Sequence, residues 1–243
     1  MTNDYACTFD GHDLAELFSI EYHMTRRLPT WEPTLVDVPA RNGALFGGTR
    51  AQAVEIGMQL CPRALGRDER QEDLRTLASW LAVSEPKPLY LGDEGGRYRM
   101  AVPTGESEIT PYLDADVVQI GFVCPDPRLY GDERSATVTT TATSILVDGT
   151  AVTRPLITAT ATPNGSGIWA ITDLTTGEYM QVSLTSGSHT VVFDCEARTV
   201  KVDGAVTMLA PACDWLTFGN IEHQLQITTG TGTATVTWQE MWW

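Results

Sequence analysis

The residue types that most often carry chemistry are histidine, cysteine and paired carboxylates, and in this chain they are scattered. His12, His23, His189 and His223 lie far apart, with no second histidine or cysteine at the spacing of a zinc site. His12 stands beside Asp13, but sequence neighbours point in different directions in helix and strand, so a surface loop is expected there. A glycosidase needs two carboxylates across the scissile bond. The candidates are Asp93 with Glu94, Glu106 with Glu108, Asp114 with Asp116, and Asp194 with Glu196. A spacing of two sets both on one strand face, yet a chain with 31 acids produces such spacings by chance, so solvated faces and turns are expected. Asp114-Ala-Asp116 also lacks the glycine and glutamate of an EF-hand loop. Cys7, Cys61, Cys124, Cys195 and Cys213 form an odd set without C-x-x-C and read as reduced, half-buried thiols.

Linear motifs add nothing catalytic. G-x-S-x-G, H-E-x-x-H, the P-loop and G-x-G-x-x-G are all absent. Gly230-Thr-Gly232 comes near the last, but it sits among threonine-rich strands with no helix following. No catalytic, cofactor-binding or metal-ligating residue is assigned, and an enzyme is not expected. Seven tryptophans remain, which if exposed would stack on sugars or partners. Trp80, beside a helical stripe, and Trp169, Trp215 and Trp238, in or next to strand runs, are expected in cores. Trp31, read as a loop residue, and Trp242-Trp243 are the candidates for a partner surface.

Charge narrows the partners further. With a net charge of −15 over 243 residues, most of the surface repels nucleic acid and anionic lipid, so neither sequence-specific nucleic-acid binding nor membrane association is expected. The apolar run around Val117–Val123 is broken by Gln119 and is far short of the roughly 20 residues of a membrane span. The opening Met1-Thr-Asn-Asp-Tyr5 is polar and acidic, so the expectation is a soluble protein without a signal peptide, made in a cytoplasm.

The elements that would hold these residues fall into two compositions. Residues 135–243 contain only Arg154, Arg198 and Lys201 as bases and are rich in threonine, which places a domain boundary near residues 131–137 and gives domains 1–134 and 135–243. In the first, Val54–Leu60 alternates apolar and polar, and Leu17–Tyr22, Thr34–Val38 and Val117–Val123 are further strand candidates. One helix is expected over about 68–82, with Asp68 and Gln71 as a capping box after Gly66. Its apolar stripe is Leu74, Leu77, Ala78 and Leu81, and Pro86 and Pro88 end it. The expected architecture is mainly β: an α+β first domain with one helix on a sheet, then an antiparallel β-sandwich. In the sandwich, strands are expected at 137–147, 155–161, 179–184, 189–194, 221–228 and 233–238. Asp203-Gly204 marks a type I′ hairpin between Val200 and Val206, and Asp148-Gly149, Asn164-Gly165, Thr176-Gly177 and Gly230–Gly232 supply turns.

The order of segments resembles the distal tail (Dit) proteins of long-tailed, non-contractile phages. Phe9-Asp-Gly-His-Asp-Leu14 is similar to the family's opening F-x-G-x-D-L, and Val38-Pro-Ala-Arg-Asn-Gly43 to its V-P-G-R-D-G turn. Leu77-Ala-Ser-Trp-Leu81 resembles L-x-x-W-L. Leu89–Glu94 with Arg97–Ala101 resembles L-x-x-D-D…Y-x-A, and Phe122–Pro127 resembles F-x-C-x-D-P. Asp148-Gly-Thr150 with Pro155, Thr176-Gly177, Phe193–Glu196, and Gly219-Asn220 leading to Trp238 follow the same plan.

The resemblance implies a virion structural protein of the tail tip, assembled in the bacterial host cytoplasm. The first domain would form a homo-hexameric ring and the second a galectin-like sandwich projecting outward. Implied partners are the tail tube (major tail) protein, a tip, fibre or tail-associated lysin protein, and the tape measure protein. An acidic lumen would repel the genome during ejection, with Arg63, Arg67, Arg70 and Arg75 as the cluster to check against it. The competing reading is a glycan-binding module that recognises the host cell wall through Trp31 or Trp242.

Overall fold

The computed structural model describes residues 6–26, 29–39, 42–111 and 116–243, which divide into two compact units. One comprises Met1–Leu129 with Trp243, the other Tyr130–Trp242. Among the described residues no helix is long and apolar enough to cross a membrane.

The first unit contains β1 (Cys7–Phe9), β2 (His12–Asp13), β3 (Phe18–Arg26), β4 (Trp31–Asp37), β5 (Ala44–Ala51), β6 (Val54–Pro62), α1 (Arg67–Leu81), β7 (Lys87–Leu91), β8 (Tyr98–Pro111) and β9 (Asp116–Cys124). Its strands pair antiparallel in the order β3-β6-β9-β8-β7-β1-β2. Period-two alternation in β6 buries Val54, Ile56, Met58 and Leu60, which meet Ile20, Val118, Ile120 and Phe122 in one core with Phe9 and Phe18. Burying each such side chain is worth about 1.5–3 kcal/mol, which is what fixes the register: a slip of one residue would turn this row to solvent.

The helix is present but anchored differently from its sequence expectation. It begins one residue earlier, so Gly66 is the N-cap and no side chain caps it. Asp68 therefore already lies inside the first turn and cannot act as a capping residue. With Glu69 it instead sets negative charge near the positive helix end. Leu74, Leu77 and Leu81 face the core, but only Leu77 is fully buried, and Ala78 is exposed. The stripe is narrower than its spacing implied because the helix packs chiefly on one strand, β6, which leaves Ala78 facing solvent.

The second unit, entered by β10 (Leu129–Val138), continues with β11 (Thr143–Leu146), β12 (Leu156–Thr162), β13 (Ile168–Asp173), β14 (Tyr179–Ser183), β15 (His189–Asp194), β16 (Thr199–Val202), β17 (Ala205–Thr207), β18 (Glu222–Thr229) and β19 (Thr231–Trp242). It is a β-sandwich: β17-β16-β15-β12-β19-β10 face β11-β18-β13-β14 across a core that holds Trp169, Phe193, Phe218 and Trp238. The expected strand 137–147 is two strands in different sheets. Thr139 Oγ1 accepts from the Thr141 amide at the turn between them, and a hydroxyl of this kind competes with ladder pairing. β10 spans the change of composition at residues 131–137.

Threonine abundance has a positional cause. In β12, Ile157, Ala159 and Ala161 point inward, while Thr158 and Thr160 stand on the outer face opposite Thr235 and Thr233 of β19. Branched hydroxyl side chains fit a pleated, solvated face and pair across strands. Asp203 and Gly204 adopt φ of 49° and 82°, as a type I′ turn requires, between β16 and β17.

Candidate interaction surface

The histidines are structural where the side chain is described. His12 lies in β2 and stacks on Trp80, with ring centroids 4.7 Å apart and planes 6° apart. Trp80 is thus half-buried beside the helix instead of in a core. Asp13 caps a short 3-10 turn by accepting from the Ala15 amide at 2.9 Å. The side chain of His23, and those of Glu106, Glu108, Asp114 and Asp116, lie outside the described residues.

Folding creates two acid–base pairs that no local spacing announced. His223 Nδ1 meets Asp173 Oδ2 at 2.6 Å with both side chains fully buried, although the residues are 50 positions apart. His223 Nε2 is taken up by the Gly219 backbone at 3.2 Å, and Asp173 also accepts from the Thr175 amide and the Thr176 hydroxyl. Both ring nitrogens are thereby engaged, and the pair ties two turns together. His189 Nδ1 meets Asp203 Oδ2 at 2.7 Å across the edge hairpin. The hydrogen bond to Asp203 raises the His189 pKa and lowers that of Asp203.

The remaining chemical candidates are equally committed to structure. Glu94 is buried against Arg99 at 3.1 Å, and Arg99 also donates to the Pro127 carbonyl at 2.7 Å. Asp194 caps the turn at Ala197, while Glu196 faces Arg154 at 3.0 Å. Burial pushes the Cys7 and Cys195 thiols up to about 12 and Cys124 to about 11, which leaves them protonated and inert at neutral pH. Arg63 Nε donates to the carbonyls of Ala15 and Phe18, Arg70 reaches the Leu65 carbonyl, and Arg75 pairs with Glu72. Among the described residues no group of three His, Cys, Asp or Glu is placed to hold a metal ion.

What stands out instead is a surface. β4 and β5 form a two-stranded ribbon of their own, paired among the described residues only with each other. Trp31 is therefore a strand residue, not a loop residue. The register sets Trp31, Pro33, Leu35 and Phe46 on one face, flanked by Thr49 and Asp37. The other face carries Glu32 and Arg50 near the base and the exposed pair Val36 and Leu45 beyond the bulge. A bulge between Thr34 and Leu35, with Gly48 at φ 126°, keeps this division in phase along the ribbon. Leu35 is 61% exposed and Phe46 67%. Trp243 sets its ring 4.8 Å from that of Trp31 at 58°, and both are about half exposed. Two of the three tryptophans expected at a partner surface thus converge on one apolar face; Trp242 is half-buried beside Gly131. Trp169 and Trp238 are core and Trp215 packs against it.

A model described as siphovirus-type tail component, C-terminal domain, matches residues 148–242, and one described as phage tail protein RIFT-related domain matches residues 12–124. The distal tail protein of Bacillus phage SPP1 is 24% identical over 226 residues, covering 87% of this chain and 86% of that protein. The chain belongs to the distal tail protein family. Its fold agrees: the crystal structure of SPP1 Dit, described as a paradigm of hub adsorption apparatus in phages that infect Gram-positive hosts, superposes with a TM-score of 0.75 at 19% identity, over 98% of each chain. A member of this family is a tail component.

Proposed function

We propose that this distal tail protein is the hexameric ring hub at the tip of a long non-contractile tail, joining the tail tube to the tip or fibre proteins that adsorb to the host. The observation that carries this reading is the ribbon β4–β5. A two-stranded ribbon is marginal in water by itself, and one with an uncovered apolar face requires a partner to be stable. A ring of identical subunits needs a heterologous contact whose rotation closes, and the first unit supplies one side of it. In this reading the first unit builds the ring and the sandwich projects outward. The tube protein, a tip or tail-associated lysin protein and the tape measure protein contact its two rims, in a virion assembled in the host cytoplasm. With a net charge of −15, an acidic lumen that repels the genome is part of this reading.

Light scattering of the purified protein tests it. Six copies of 26.6 kDa give about 160 kDa, and negative-stain images should show a ring with a central hole. A monomer at every concentration, alone and with the neighbouring tail proteins, refutes the hub. Glycan binding is the second reading, favoured by the exposed Trp31–Trp243 pair. The 58° tilt between those rings offers no flat platform, and glycan-array binding lost in Trp31→Ala would be needed to revive it.

A further inference from the structure

The loop between β12 and β13 is built around one side chain that the hub reading does not use. Asn164 Oδ1 accepts three hydrogen bonds: from the Ser166 amide at 3.1 Å, the Ser166 hydroxyl at 2.6 Å and the Ile168 amide at 3.1 Å. The Asn164 backbone closes the same turn twice, donating to the Ile168 carbonyl at 3.0 Å and accepting from the Gly167 amide at 2.9 Å. Of the amides at positions 164–168, that of Gly165 is left without an acceptor among the described residues. It lies inside the ring that the bond from the Ser166 amide to Oδ1 closes, beside the side-chain carbonyl carbon. Asn164, Gly165 and Ser166 are exposed, and an open cleft of about 320 Å³, lined by Asn164, Gly165, Ser186 and Gly187 among others, keeps water within reach. Gly165 carries no Cβ to crowd its own nitrogen, and the turn does not demand glycine there, since a Cβ would meet nothing within 4 Å.

We infer that Asn164-Gly165 is a self-modification site, at which the folded loop converts Asn164 to aspartate and isoaspartate with loss of ammonia. The Gly165 nitrogen attacks Asn164 Cγ, forming the N–Cγ bond and passing its proton to water, while the carbonyl electron pair moves onto Oδ1. The three donors on Oδ1 stabilise that oxyanion, as preorganised donors do wherever charge develops in a transition state. Collapse of the oxyanion breaks the bond from Cγ to Nδ2, which leaves as ammonia after taking a proton from water. Water then opens the resulting cyclic imide at either carbonyl. Opening to aspartate keeps the same three donors on a charged oxygen, which strengthens those bonds. Opening to isoaspartate adds a carbon to a main chain that two backbone bonds close into a tight turn, and distorts it. The reaction needs the sandwich alone, so the inference does not depend on the ring reading.

Peptide mapping by mass spectrometry tests the site in the whole protein. Samples are held at 37 °C and pH 8, folded or unfolded in guanidinium chloride, and aspartate and isoaspartate at position 164 are followed with time. The folded protein should convert Asn164 faster than the unfolded chain, by about threefold or more, because the oxyanion donors exist in the folded loop alone. A folded rate no faster than the unfolded rate overturns the inference, since the nest would then restrain the side chain without activating it. Ser166→Ala removes the hydroxyl donor and should slow the folded rate about fivefold or more while leaving the unfolded rate unchanged. Ser166→Thr, which restores a hydroxyl, should restore the folded rate. The direction separates the two roles of the hydroxyl: a purely structural one would loosen the turn when lost and speed the reaction. A folded rate that rises or stays unchanged in Ser166→Ala therefore overturns the inference.

Discussion

Replacing His223 by alanine should cost the sandwich about 3 kcal/mol. Asp173, fully enclosed, takes three donors: His223 Nδ1 at 2.6 Å, the Thr175 amide at 2.9 Å and the Thr176 hydroxyl at 3.1 Å. The substitution removes the shortest of these and strands the carboxylate with two neutral donors. It also opens space beside Phe218, whose ring lies 4.8 Å from the imidazole. Breaking a buried pair by deleting one partner costs about 3–5 kcal/mol, and the two surviving bonds put this case at the lower end. For a unit of the size of Tyr130–Trp242, about 4 °C of melting temperature per kcal/mol gives a fall of about 12 °C. Urea and thermal unfolding followed by the fluorescence of buried Trp169 and Trp238 measure it. The double change His223→Leu with Asp173→Leu should recover part of the loss, because removing both partners leaves no orphaned charge. A loss below about 1 kcal/mol in the single variant, or a double variant worse than the sum of its parts, would falsify the reasoning.

Three further outcomes are expected. Gly232→Ala should unfold or strongly weaken the sandwich, by about 3 kcal/mol or more, since φ is 131° and a Cβ would overlap the Thr160 carbonyl oxygen in the β12–β19 ladder; a wild-type urea midpoint contradicts this. Arg99→Met should cost about 3 kcal/mol by leaving Glu94 buried without its cation, read as a lower urea midpoint of the first unit. The His189–Asp203 bond should be sensitive to pH. The raised His189 pKa makes its contribution present below about 6.5 and lost as pH rises through the folded value. The lowered Asp203 pKa makes its contribution present above 3.8 and lost as pH falls through the folded value. His189→Gln should therefore lower the melting temperature more at pH 5.5 than at pH 8.5, and equal losses at the two pH values would speak against the pair.

Local pattern determined a large share of the architecture. Alternation in Val54–Leu60 and in the 155–161 and 233–238 runs placed strands because burial on one face imposes a period of two. Asp203-Gly204 placed a turn because few residues tolerate two positive φ values in succession. Segment order carried the family resemblance. What local pattern left dark were contacts between distant positions. β5, with Gly47 and Gly48 in its middle, has weak strand propensity and becomes a strand by pairing with β4. His223 and Asp173 are 50 residues apart and become partners when β13 and β18 share a sheet. Trp31 read as a loop residue because its neighbours Glu32 and Pro33 break a strand pattern. Pairing with Ala51 makes it one, and the apolar face it shares with Leu35 and Phe46 exists through cross-strand register alone. Side-chain period is a property of one segment and is written in its sequence. Which periodic faces find cover, and which are left facing water, is decided by packing across the whole unit, and that selection is what leaves the ribbon exposed.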